Sequence, residues 1–265
     1  MQFIKRIFTP FIIAFSFLTC IPVPFLNKIN FEEKNIRLSL IFFPLIGLFY
    51  GLILYFSIKL LLYLEINISL ISLTVIFLPY FINKFLHFDG LCDTVDAFLP
   101  DKTAEERLKI LKDTNVGSYA IGVIIFFVFL KLELVKIFLN NNLLPFLLII
   151  PVFSRYSLVL LSFISRYPRK QGTAFNIVGK VSFKIFLTST LFFILINCFF
   201  LIIFFNFYFF INIIILTIFI YLFSLLFKLY SDYKINGVTG DILGAQNEII
   251  ELFSFIILII LLILI

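Results

Sequence analysis

Three aspartates, Asp89, Asp93 and Asp96, stand four and three residues apart in the stretch His87-Phe88-Asp89-Gly90-Leu91-Cys92-Asp93-Thr94-Val95-Asp96. On a helix this spacing puts the three carboxylates on one face, a turn above one another. Unpaired like charges so placed repel, so a cation is expected among them. Hard oxygen donors suit Mg²⁺ or Mn²⁺, and Mg²⁺ usually bridges a few carboxylates to substrate phosphate oxygens, which implies a phosphorylated ligand. The bland alternative is a solvated acidic helix face beside a membrane. An EF-hand is excluded because its Asp-x-Asp-x-Asp/Asn-Gly spacing is absent. His87, the only histidine, lies two residues from Asp89 and could act as a general base; a lone histidine is more often a structural hydrogen-bonding residue.

A second acidic group follows glycines 237, 240 and 244: Asp241, Glu248 and Glu251, seven and three residues apart. Helix N-terminal charge explains Asp241 well but Glu251 poorly, because Glu248 and Glu251 enter the membrane edge, where an unpaired carboxylate is costly. The group reads as a second metal-binding or substrate-orienting arm. Arg107, Lys109, Lys112, Arg166, Arg169 and Lys170 could neutralise a diphosphate, arginine suiting bidentate phosphate contacts. Arg155 lies inside an apolar run, where a charge is by default functional. Lys131, Glu133 and Lys136 also fall in such a run, but the three-residue spacing lets Glu133 pair with Lys136, a structural explanation.

The elements that must position these groups are membrane helices. Of 265 residues, 62% are hydrophobic and 14% charged, with a mean hydropathy of +1.16, against about 25% charged in soluble domains. Several apolar runs reach the roughly 20 residues needed to cross a bilayer, and the alternation of a barrel strand is absent. The fold expected is an all-α polytopic membrane protein of one domain (1–265), with spans near 38–63, 69–85, 118–138, 143–165, 183–205, 209–230 and 245–265. Residues 7–26, which follow Lys5 and Arg6 and run into Ile21-Pro22-Val23-Pro24, read as a proline-broken interfacial or re-entrant segment. Cys20, Cys92 and Cys198 are scattered, which implies neither a disulfide framework nor a zinc site. Forty Phe and no Trp read first as lipid-facing filler.

Segments 1–37, 84–117, 166–184 and 228–241 hold 17 of the 21 Lys and Arg, and the opposite turns hold none. By the positive-inside rule these segments face the cytoplasm. Topology alone accounts for the basic excess, and no nucleic-acid partner is expected. Seven of the 15 acids lie in 86–117 and four more in 232–251, so acid and base converge on the cytoplasmic face, where soluble metabolites reach them.

Five stretches in order carry a specific resemblance. Residues 87–96 resemble the His-x-Asp-Gly-Leu-x-Asp-Thr-x-Asp box of the cobalamin synthases, the adenosylcobinamide-GDP ribazoletransferases. Phe17 to Pro24 resembles their Leu-Thr-x-x-Pro-x-Pro, and Arg107 to Gly117 their Arg-x-x-Ile-(Met/Leu)-Lys-Asp-x-x-x-Gly. Arg169 to Gly172 resembles their Arg-x-x-Gly loop, and Gly237 to Glu251 their Gly-Val-Thr-Gly-Asp-x-Leu-Gly-Ala tail. Ala97 stands where the family carries Gly, and Cys20 where Arg is frequent. The resemblance implies transfer of the adenosylcobinamide-phosphate moiety from adenosylcobinamide-GDP to a ribose hydroxyl of α-ribazole or its 5′-phosphate, with release of GMP. It implies a bacterial cytoplasmic (inner) membrane location with the site facing the cytoplasm, and leaves an oligomer open.

On this reading Asp89, Asp93 and Asp96 hold Mg²⁺ on the diphosphate. Asp241 and Glu248 complete the site or receive the hydroxyl proton with His87, and Arg107, Lys112, Arg155 and Arg169 bind phosphates. Two other membrane transferase classes fit less well. The CDP-alcohol phosphotransferase pattern is broken by Cys92-Asp93, and prenyltransferases need two similar aspartate boxes. A transporter would place its ionisable residues near the bilayer midplane; here the acids lie at one edge and only Arg155 is a plausible deep site.

Overall fold

A computed structural model of the chain describes residues 2–23, 29, 31–113, 115–204 and 207–264, with side chains from residue 7 onward. Among the described residues there is no strand. The helices, in chain order, are α1 (Gln2–Leu18), α2 (Glu33–Ser39), α3 (Phe43–Tyr63), α4 (Ile68–Ile82), α5 (Leu86–Phe98), α6 (Ala104–Ile110), α7 (Ser118–Asn140), α8 (Ile150–Ile164), α9 (Phe183–Ile203), α10 (Phe207–Ile235) and α11 (Gly240–Leu264). Helices are what apolar runs of this length must form in lipid, because each backbone polar group has to be satisfied within its own segment. The polytopic all-α fold expected from composition is the fold observed.

The span count is a correction. Seven were expected; five described stretches are long and apolar enough to cross, namely Glu33–Tyr63, Leu144–Ile164, α9, α10 and α11. A sixth exists if α4 and α5 are taken together, but they are bent by 92°. The bend has a local cause: Lys84 and Phe85 both adopt left-handed backbone, at φ 52° and 60°, which no helix continues. By itself α5, with 13 residues and three aspartates, is too short to cross a bilayer. The expected span at 118–138 is the 23-residue helix α7, not among those five; its C-terminal half carries Lys131, Glu133 and Lys136. The apolar helix Ile7–Leu18 is about 18 Å long at 1.5 Å per residue, short of a bilayer core of about 30 Å. This agrees with an interfacial or re-entrant segment for 7–26, of which 24–26 lie outside the described residues.

The span containing α8 is the hub, 83% buried against 28% for α10. Buried Phe138, Phe146 and Phe153 belong to the core around it, whereas Phe129, Phe199 and Phe207 remain exposed on the outer helices. The aromatic richness therefore divides between core packing and filler. Against this hub, α5 and α11 approach backbone to backbone. A Cβ on Gly90 would lie 2.6 Å from the Asp241 carbonyl oxygen, and one on Gly244 3.1 Å from that of His87. Glycine at both positions lets the aspartate-rich helix lie directly on the N-terminal turns of α11.

Candidate active site

This close approach brings the two acidic stretches together. Asp89 on α5 and Asp241 on α11 line one cavity of about 260 Å³. Its walls come from α1 (Phe17), α3 (Phe43), α5 (Leu86, His87), α8 (Leu158, Ser162), the 165–182 loop (Thr173, Ala174, Ile177) and the start of α11. Asp89 is exposed, while Asp93 and Asp241 are half-buried. Thr239 Oγ1 donates to Asp241 Oδ2 at 3.1 Å. Burial first, and then the carboxylates of Asp89, Asp241, Asp96 and Asp113, push Asp93 up to about 7. Repulsion of this kind marks a place where a cation would be favoured.

Asp96 points elsewhere. It comes off the same face of α5, but its Oδ2 accepts from the Gly117 N–H at 2.6 Å and its Oδ1 from Ala120 N–H at 2.9 Å. It thus satisfies amides at the start of α7 that the helix itself leaves unpaired. A Cβ on Gly117 would lie 2.6 Å from this carboxylate, so glycine at the end of the 107–117 stretch leaves room for it. Among the described residues, no group of three or more His, Cys, Asp or Glu side chains converges closely enough to hold a metal ion. The donors of the cavity region fit a hard ion of the Mg²⁺ type, which takes one or two carboxylates and completes its shell with water and substrate phosphate.

The basic residues separate into two kinds. Arg107, only 4% exposed, donates from Nη1 to the carbonyls of Ala97 (2.6 Å) and Phe98 (3.0 Å) and from Nε to that of Lys102 (2.9 Å). It closes the C-terminus of α5, whose last carbonyls have no intrahelical partner, and is engaged there rather than free for phosphate. Arg169 donates to the Leu108 carbonyl at 2.9 Å, and its buried Nε has no partner; its charge acts on Asp241. Lys112 is exposed.

Glu248 and Arg155 are not brought to this cavity. They belong to a buried cluster joining α4, α7, α8 and α11. Glu248 accepts from Tyr80 Oη at 2.7 Å and pairs with Lys131 at 3.4 Å. Lys131 also pairs with Glu251 at 3.2 Å, and Glu251 in turn accepts from Ser154 Oγ at 3.1 Å and from Arg155. Arg155 lies over the Tyr50 ring, 4.4 Å from its centroid. A charge among apolar helices is tolerated when it is paired, and here two cations meet two anions. Sequence reasoning paired Glu133 with Lys136, which are 2.8 Å apart, and missed the partners of Lys131; the signal was that Lys131 had none left nearby in the sequence.

His87 is buried, lines the cavity, and its Nε2 has no partner. Burial, helped by the Arg155 guanidinium, pushes its imidazole down to about 3, so it is neutral near pH 7. Sequence reasoning did not find Ser162, a buried wall residue on α8 whose hydroxyl is likewise unpaired. Nothing in an apolar run that also carries Ser154 and Ser157 marks it as special.

The chain matches the cobalamin-5-phosphate synthase (CobS) family over residues 10–259. It is 32% identical to the adenosylcobinamide-GDP ribazoletransferase of Clostridium tetani over 256 residues, covering 95% of this chain and 96% of the relative. Similar matches are the ribazoletransferases of Clostridioides difficile, 32% identical over 91% of this chain and 93% of the relative, and of Thermodesulfovibrio yellowstonii, 31% identical over 91% and 92%. No solved structure matches. Family match and relatives together cover nearly the whole length, and the chain belongs to the cobalamin-5-phosphate synthase family.

Proposed function

We propose that this protein is a membrane transferase for the nucleotide-loop joining step of cobalamin biosynthesis, taking adenosylcobinamide-GDP and α-ribazole or its 5′-phosphate. A ribose hydroxyl would attack the phosphorus attached to the cobinamide arm, and GMP would leave. Beyond family membership, the observation that carries this reading is the meeting of Asp89 and Asp241, from two distant motif stretches, at one cavity.

Joining a diphosphate donor to a hydroxyl demands charge neutralisation and in-line positioning. Asp89 and Asp93, one turn apart on α5, would hold Mg²⁺, which when bound supplies neutralisation of the diphosphate and of the departing GMP. Arg169, beside Asp241, and Lys112, on the adjoining polar segment, would take phosphate oxygens. Asp241 would receive the hydroxyl proton, and His87, whose Nε2 has no partner within the protein, faces the same cavity. Asp96 and Arg107 hold the two ends of the 96–120 segment in place, and the Glu248–Lys131–Glu251–Arg155 cluster fixes α11 against α7 and α8. The asymmetry of basic loops and the bacterial relatives support a cytoplasmic-membrane protein with this site on the cytoplasmic side.

The test is a product analysis with detergent-solubilised protein, adenosylcobinamide-GDP, α-ribazole and Mg²⁺. The expected result is one GMP released per joined corrinoid, abolished by EDTA and restored by Mg²⁺. A folded preparation that makes neither product would overturn the proposal.

A further inference from the structure

The cavity beside Asp89 and Asp241 has a second character that the phosphate chemistry does not use. Away from the carboxylates its wall is apolar, with Phe17, Phe43, Leu158 and Ile177. Set into that wall are two buried polar groups, His87 at 4% exposure and Ser162 at 1%, whose Nε2 and Oγ have no hydrogen-bond partner. Buried polar atoms without partners are costly, and two of them on one cavity indicate a ligand that supplies the bonds.

We infer that this cavity binds the flat aromatic base of the acceptor nucleoside, with His87 and Ser162 hydrogen-bonding its ring nitrogen or ribose edge while the ribose hydroxyls point towards Asp89 and Asp241. The inference rests on the joining reaction proposed above. Its volume, about 260 Å³, is just under the range of roughly 300–1,000 Å³ for drug-sized ligands, so a corrin macrocycle does not enter. Guanine is a poor occupant: its edge presents several donors and acceptors, and two polar groups in an apolar wall would leave most of them unpaired. A bicyclic base with one accepting nitrogen leaves none. Phe43, Leu158, Ile177, His87 and Ser162 are buried whereas Phe17 and Asp89 are exposed, which seats the base deep and the sugar at the carboxylates.

The experiment is equilibrium binding of α-ribazole, and separately of GMP with Mg²⁺, to detergent-solubilised protein and three variants. Ser162→Ala removes one hydrogen bond and is expected to weaken α-ribazole about 3–10-fold. Leu158→Phe and Ile177→Phe fill the cavity and are expected to weaken it at least tenfold. GMP affinity should stay within twofold in all three, with thermal midpoints reported alongside so that an unfolded variant is set aside in favour of the others. Unchanged α-ribazole affinity in the folded variants, or loss of GMP in place of α-ribazole, overturns the inference. The joining reaction is judged separately by GMP release from wild-type protein, so a wild type that turns over but ignores cavity filling sinks this inference alone.

Discussion

Lys131 contacts two carboxylates, Glu248 at 3.4 Å and Glu251 at 3.2 Å, and is 3% exposed. With Arg155 the cluster sums to zero charge, so replacing Lys131 by Met leaves one uncompensated negative charge among α4, α7, α8 and α11. Each contact is worth about 5 kcal/mol at an effective dielectric of about 20, against a desolvation penalty of several kcal/mol for the ammonium. The expected loss for Lys131→Met is therefore about 3–5 kcal/mol, the range for breaking a buried pair on one side. At about 2–4 °C per kcal/mol the thermal midpoint should fall by about 6–20 °C. Adding Glu248→Gln restores neutrality while Glu251 keeps Arg155, and should recover all but about 1 kcal/mol. The assay is denaturant unfolding in a single detergent, with the thermal midpoint as a second readout. A single variant within about 1 kcal/mol of wild type, or a double variant no better than the single, would refute the charge-balance account.

Three further outcomes follow from the site. With Asp93 pushed up to about 7 by burial and neighbouring carboxylates, protons compete with Mg²⁺ below that pH. Mg²⁺ affinity measured by calorimetry should rise with pH to about 7 and level off above it, and a flat profile from pH 5 to 8 would contradict the shift. The sign for the metal-free protein is opposite. A carboxyl raised above its usual value stabilises the fold below that usual value, and the contribution is lost as pH rises to about 7. Asp96→Ala strips the Gly117 and Ala120 amides of their acceptor and should cost about 1–3 kcal/mol in denaturant unfolding; a cost under about 0.5 kcal/mol would mean that the cap contributes nothing. Gly90→Ala puts a methyl group 2.6 Å from the Asp241 carbonyl and should lower kcat at least tenfold by separating α5 from α11, with unchanged kcat as the contrary result.

What the sequence disclosed and what it did not can be traced to particular residues. The hydrophobic runs gave the helices because lipid leaves the backbone no alternative. The number of spans was less legible, since Lys84 and Phe85 turn the chain with left-handed backbone that their residue types do not announce. Spacing correctly put Asp89, Asp93 and Asp96 on one helical face. It could not reveal that Asp96 is consumed by amides more than twenty positions away, or that Arg107 folds back onto the end of α5. Glu248 and Arg155 looked like site residues because an intramembrane charge reads as functional by default; the structure gives them each other's neighbours, Lys131 and Glu251. The joining of Asp89 to Asp241 depends on Gly90 and Gly244, and close helix approach is a tertiary fact that a lone glycine only permits.

The most direct test of the site is the rate of GMP release from adenosylcobinamide-GDP, with α-ribazole and Mg²⁺, by wild type, Asp93→Asn and Glu133→Gln. Glu133 sits in the exposed pair with Lys136 and serves as a carboxylate control remote from the cavity. The account expects Asp93→Asn to lose turnover by at least a thousandfold while remaining at least as stable as wild type near pH 7, and Glu133→Gln to keep its rate within twofold. Folded Asp93→Asn protein that still releases GMP at the wild-type rate would contradict it.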